Sequence, residues 1–165
     1  MIDEIDRKVA ESLDAMGVGY EVMSIDPDFA DTAKFCERYG IPPEKSGNTI
    51  IVASKKEPKQ YCACVVLATT RLDVNHAVRR LMSASKVSFA TADETKALTG
   101  MMIGGVTVLA LPPDLPIYVD ERLMALDWLI LGGGSRSTKI KTSPDVFRRL
   151  PNTTIVPNLA TDAGA

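Results

Sequence analysis

The sequence contains a single histidine, His76, and only three cysteines, Cys36, Cys62 and Cys64. With so few, no His/Cys/carboxylate cluster has metal-ligand spacing, so neither a metal nor a cofactor is expected. Covalent catalysis lacks its parts as well, because none of the cysteines sits in a local nucleophile signature. His76 falls in a helix-like stripe, where a histidine is more often a surface or half-buried residue than a base. The cysteines are odd in number and make no CxxC. They read as small core hydrophobes in a reduced, cytoplasmic setting. No apolar run approaches the roughly 20 residues that span a bilayer. The start, Met1-Ile2-Asp3-Glu4, is acidic and carries no signal-peptide pattern, so no membrane partner is expected. A strong charge excess is missing too. Nineteen Lys and Arg against 21 Asp and Glu give a net charge of −2, which argues against a general polyanion binder and against DNA.

What is present is an ordinary globular mixture, 45% hydrophobic and 24% charged over 165 residues, one domain's worth. The charges are unevenly placed. Residues 1–31 hold nine acids and two bases, which leaves twelve acids and seventeen bases for the rest of the chain. The mildly basic body permits a phosphate-facing rim, expected from some of Lys45, Arg71, Arg136, Lys139 and Lys141.

Periodicity divides the chain into short elements. Ile2, Ile5, Val9, Leu13 and Met16 recur at helical spacing up to Gly17. Tyr20–Met23 reads as a strand. A helix capped by Asp31 or Thr32 runs through Arg38 and stops at Gly40. Residues 48–53 and 61–67 form a hairpin across a polar turn. Asp73 caps a third helix, and 86–90 is a strand. Thr91 and Glu94 form a capping box for a helix ending at Gly100. Strands follow at 106–111, 117–119, 128–131 and 138–141, and a last helix starts at Ser143-Pro144-Asp145. This predicts an α+β or mixed α/β fold: a curled, mainly antiparallel sheet of about seven strands, partly barrel-like and covered by helices. A single unit is placed at 1–156, with a flexible tail at 157–165.

Two glycine runs stand out. Thr99-Gly100-Met101-Met102-Ile103-Gly104-Gly105-Val106 joins a helix to a β-branched segment, and Gly132-Gly133-Gly134-Ser135-Arg136 follows an apolar strand. Glycine pairs beside strands suggest sharp bends, or a ligand lying against bare backbone. The two loops are expected to meet and form one pocket, with tight turns or bulges as the plain alternative. Bare amides at Gly104 and Gly105, with Gly133 a further candidate, could stabilise an oxyanion.

Taken in order, Asn48-Thr49-Ile50-Ile51-Val52, the Leu72-Asp73 helix start, Thr99-Gly100-x-x-Ile103-Gly104-Gly105-Val106, Val119-Asp120 and Gly133-Gly134-Ser135-Arg136 resemble the YbaK-type aminoacyl-tRNA editing domain over residues 2–150. The family includes free-standing deacylases and the editing insertion of bacterial prolyl-tRNA synthetases. The resemblance implies hydrolysis of the ester of a mischarged aminoacyl-tRNA without a side-chain nucleophile. It also implies the tRNA acceptor end as partner and transient association with an aminoacyl-tRNA synthetase. Together with the glycine loops and the basic rim, it gives an expected substrate-binding set of Asn48, Thr49, Thr99, Gly100, Met101, Met102, Gly132, Gly133, Gly134, Ser135, Arg136 and Lys139. The sequence departs from the family pattern at Asn48, where a lysine is usual, at Gly132, where a serine is common, and at Val108 and Ala110. Two functions therefore stand side by side: a trans-editing deacylase, and a non-catalytic module that binds a tRNA end or small ligand.

Overall fold

The computed structural model describes residues 3–162, so Ile2 of the first helical stripe lies outside it. Helix α1, Glu4–Met16, is capped by Asp3, whose side chain accepts from the Ile5 amide, and closes at Gly17 in the left-handed conformation. Strand β1 is Tyr20–Ser24 and helix α2 is Thr32–Tyr39, ending at Gly40. The hairpin forms from β2, Gly47–Ser54, and β3, Tyr61–Leu67, with Thr49 opposite Val65 and Ile51 opposite Ala63. Strand β4, Thr70–Leu72, leads into a π-type turn, Val74–Val78, and helix α3, Arg79–Met82. Strand β5 is Val87–Phe89. Helix α4, Ala92–Thr99, carries both hydrogen bonds of the Thr91–Glu94 capping box and ends on Gly100. Strands β6, Ile117–Asp120, β7, Leu129–Gly132, and β8, Thr138–Thr142, precede helix α5, Asp145–Arg149. Strands β9, Thr153–Val156, and β10, Ala160–Asp162, complete the described chain.

The strands form three sheets in the orders β5-β2-β3-β6-β9, β1-β8-β7 and β10-β4. Pairing is antiparallel except for β3 with β6 and β6 with β9. A bridge between Ser46 and Ile130 brings β2 alongside the three-stranded sheet. The pleat sends alternate residues of the hairpin to opposite cores. Ile51, Ala63 and Val65 join Val9, Leu13, Leu131 and Phe147 in the larger one. Val52, Cys62, Cys64 and Val66 meet Leu72, Val78 and Leu159 in a second. A third, small core packs α2 through Phe35 and Cys36 against Ile130. None of the described helices is long and apolar enough to cross a membrane.

The fold is mixed α+β, and it departs from the sequence reading in three places. Among the described residues there are ten strands in three sheets rather than about seven in one, and no sheet closes into a barrel. Residues 106–111 are not a strand. They are buried like one, but their amides turn to local partners: Thr107 N–H donates to Met101 Sδ (3.4 Å) and Leu109 N–H to Thr107 Oγ1 (3.5 Å). Finally, the expected flexible tail contains β10, which pairs with β4, and a fully buried Leu159. Asp120 fastens it by accepting from the Ala160 amide (2.9 Å). Residues 163–165 of that tail lie outside the described residues.

Candidate functional site

The two glycine loops cross in direct backbone contact. The Gly134 N–H donates to the Gly105 carbonyl at 2.8 Å. A Cβ on Gly105 would lie 2.4 Å from the Ser135 carbonyl oxygen, and one on Gly132 would lie 2.4 Å from the Val106 carbonyl oxygen. Neither approach is open to a residue with a side chain. Helix α1 fastens the crossing from one side. The Asp6 carboxylate accepts from the Ser135 amide (3.0 Å), the Ser135 hydroxyl (2.8 Å) and the Thr138 hydroxyl (2.9 Å). Arg136 fastens it from the other, donating to the carbonyls of Ile103 (2.7 Å) and Pro27 (2.9 Å) and pairing with Asp31 (3.1 Å).

Beside this joint, β2, β7 and the Gly104 turn enclose a cavity of about 390 Å³. That volume is in the range of small-ligand sites, roughly 300–1,000 Å³. Its walls are mostly apolar, from Ile51, Val106, Ile130 and Leu131, with Phe89 and Ile103 at the exposed edge. Three polar groups in the wall are not fully used by the protein. The Thr49 hydroxyl is buried and has no hydrogen-bond partner. Lys139 is only 5% exposed. Its ammonium donates to the Gly104 carbonyl (2.9 Å) and lies 5.2 Å from the centre of the Phe35 ring. It forms no salt bridge among the described residues. An ammonium has three donors, so two remain for a ligand. Burial lowers the Lys139 pKa to about 8. Asp31 and Cys36 oppose that shift and Arg136 adds to it.

The third open group is the Gly104 amide. A trans peptide carries its C=O and N–H on opposite edges. Arg136 holds the Ile103 carbonyl of the Ile103–Gly104 peptide, so the Gly104 N–H leaves on the edge away from Arg136. It has no acceptor among the described residues. The left-handed Gly104, φ 95°, makes this turn possible.

The sequence-derived set therefore divides. Asn48, Thr49, Gly104, Gly132 and Lys139 line the cavity. The Asn48 Oδ1 accepts from the Thr32 hydroxyl at 2.5 Å, tying β2 to the first turn of α2. The expectation for Gly105 is corrected: its amide is spent on the Met102 carbonyl (2.8 Å) and has no bond to give a ligand. Gly133, Gly134 and Ser135 belong to the joint, and Gly134 packs against Ile5 and Val9. Met101 is 1% exposed in the core, whereas Met102 is 52% exposed outside the cavity. Thr99 bonds the Thr95 carbonyl and the Met101 amide, and Gly100 is a helix cap. The basic rim does not form as expected. Arg136 is a clamp, and Arg71 lies on β4 in another sheet. Lys45 pairs with Asp127, and with Lys141 it flanks the Trp128 ring. Only Lys139 of the five reaches the cavity. Among the described residues there is no His/Cys/Asp/Glu group able to hold a metal.

Sequence reasoning missed several wall residues, including Asp31, Ser46 and Phe89. It also missed Asp6, which shows in sequence only as a polar position of α1. Asp31 and Thr32 were visible, but as helix caps.

The aminoacyl-tRNA editing domain model matches residues 26–150. Among solved structures, one protein proposed to be a trans-editing enzyme for prolyl-tRNA synthetase superposes with a TM-score of 0.82 at 21% identity. The match covers 99% of this chain and 100% of that one. The hypothetical protein APE2540 gives 0.81 at 25% identity, over 93% and 99% of the two chains. A protein from Marinobacter aquaeolei VT8, proposed to act in signal transduction, holds the same fold in 31% of its length, with a TM-score of 0.61 at 17% identity. The family match spans the cavity wall, the glycine joint and strands β6 to β8, and the chain belongs to the aminoacyl-tRNA editing domain family.

Proposed function

We propose that the chain hydrolyses the ester bond of mischarged aminoacyl-tRNA, with the aminoacyl end held in the cavity between β2, β7 and the Gly104 turn. The observation that carries this reading is the set of unspent polar groups in one apolar wall: the Thr49 hydroxyl, the Gly104 N–H and two donors of the Lys139 ammonium. Ester hydrolysis develops negative charge on the carbonyl oxygen as water adds to the carbon. Preorganised donors in a water-poor site stabilise that charge without reorganising. Gly104 and Lys139 are assigned this role, and Thr49 holds the attacking water or the ribose hydroxyl. The C–O bond to the ribose then breaks, and the proton shed by the water ends on the departing ribose oxygen. No covalent intermediate is needed.

Lys139 provides a cation in the wall although the residue at the start of β2 is Asn48, an amide already bonded to Thr32. This favours the catalytic reading over the non-catalytic binding module. The tRNA acceptor end is the partner on this reading, and transient association with a synthetase fits an enzyme that edits in trans. The described residues, 3–162, are taken as the editing unit. The test is a panel of tRNAs, each charged with a non-cognate amino acid. One or more should be deacylated faster than spontaneous hydrolysis, and a panel wholly at the spontaneous rate would refute the reading.

A further inference from the structure

The cavity does not end at its mouth. Phe89, on β5, lines it and also lines a second cavity of about 420 Å³ together with Arg71, Asn75 and His76. Phe89 as a residue is 58% exposed, an unusual position for a phenylalanine. Exposed aromatic rings beside basic side chains are stacking surfaces for single-stranded nucleic acid, because every base has a face to offer.

Charge marks the stretch of chain that carries Phe89 and Arg71. Between residues 70 and 90 the only acid is Asp73, while Arg71, Arg79, Arg80 and Lys86 are all exposed. None of these four cations forms a salt bridge among the described residues. Asp73 itself is engaged with His76 at 3.0 Å. Asp31, the acid of residues 1–31 that lines the first cavity, is paired with Arg136. Unpaired cations in one stretch attract a polyanion to it.

We infer that the unpaired 3′ strand of the transfer RNA enters over Phe89, with one base stacked on the ring and the preceding phosphates along Arg71 and the Arg79–Arg80 helix. This rests on the reading of the first cavity as the ester site. The terminal nucleoside is bonded to the ester, so its base must leave through the cavity mouth. Phe89 stands there, and the second cavity continues beyond it. A track of this kind distinguishes a single-stranded end from a blunt duplex without reading sequence.

Fluorescence anisotropy with an uncharged RNA hairpin tests the track, since it needs no catalysis. The hairpin is made with a four-nucleotide unpaired 3′ end and also blunt. The parent protein should bind the overhang form more tightly. Phe89→Leu, which keeps an apolar side chain but not the ring, should weaken overhang binding about tenfold, within the range for one stacked base. Arg71→Gln should lower the slope of log affinity against log salt by about 0.7, the loss of one single-strand phosphate contact. Lys8→Gln on α1 should bind like the parent. Equal binding of blunt and overhang RNA would overturn the track, as would parent-like behaviour of both the Phe89 and Arg71 variants. Binding of a polyglutamate peptide in preference to the overhang would assign the surface to an acidic protein. If overhang binding behaves as expected while no mischarged tRNA is deacylated, the track stands and the hydrolytic reading fails. The converse pattern removes the track alone.

Discussion

The glycine joint and the cavity wall are built from the same two loops, yet they differ in how their hydrogen bonds end. In the joint the two loops and α1 bond one another. The Gly105 amide reaches Met102, the Gly134 amide reaches Gly105, and Asp6 takes three bonds from Ser135 and Thr138. In the wall, one peptide away, the Gly104 amide, the Thr49 hydroxyl and most of the Lys139 ammonium are unmet. Buried polar groups are almost always paired. The Thr49 hydroxyl is such an exception, and with the half-buried Gly104 amide and the free donors of Lys139 it separates what awaits a ligand from what holds the fold. Two adjacent glycines, Gly104 and Gly105, thereby have different jobs.

The largest effect is expected from breaking the joint. Gly105→Ala would set a Cβ against backbone atoms of Ser135 and Gly134 that no side-chain rotation can move. The loops must part, at a cost above about 3 kcal/mol. Urea denaturation should show this as a large fall in midpoint; a midpoint near the parent's would mean the crossing is loose.

A smaller effect concerns the charge of Lys139. Its folded pKa of about 8 lies below the 10.5 of a free lysine because burial penalises the ammonium. Below pH 8 both states carry the proton, and the folded state bears the full penalty. Between pH 8 and 10.5 the unfolded chain binds more protons than the folded one, so stability rises with pH. The gain should be on the order of 2 kcal/mol relative to Lys139→Met, which lacks the group. Denaturation of the two proteins at pH 7 and pH 10 measures it, and parallel pH dependences would place the ammonium in water.

The smallest effect on the fold should come from Thr49→Val. Removing an unpaired buried hydroxyl costs little and can stabilise. Stability should therefore change by less than about 0.5 kcal/mol while deacylation falls about tenfold, the worth of one hydrogen bond of about 1.4 kcal/mol. Unchanged deacylation would show that the orphan hydroxyl has no ligand.

Much of the fold could be read locally. The capping box at Thr91, the helix stops at Gly17, Gly40 and Gly100, and the β2–β3 hairpin each depend on residues close in sequence. The meeting of the glycine loops was legible too, because closely spaced glycines beside strands have few other uses. What could not be read depends on distant partners. Whether the Gly104 or the Gly105 amide stays open is decided by Arg136 and Met102. The strand expected at 106–111 shares its apolar, β-branched character with a buried loop, and burial alone does not separate the two. Strand β10 has only three residues, two of them polar, and owes its place to β4 and Asp120. Lys139 was expected at the substrate and also as a rim cation; what could not be read is that it alone of the five reaches the cavity, which the β7–β8 register decides by setting it opposite Gly132.

The contrast between joint and wall is tested most directly by single-turnover deacylation of the best mischarged tRNA by Lys139→Met, with a melting curve on the same sample. The account predicts a cooperatively folded protein whose rate is lower by about 100-fold or more, the usual cost of losing an oxyanion donor. A folded variant that deacylates at the parent rate would contradict it.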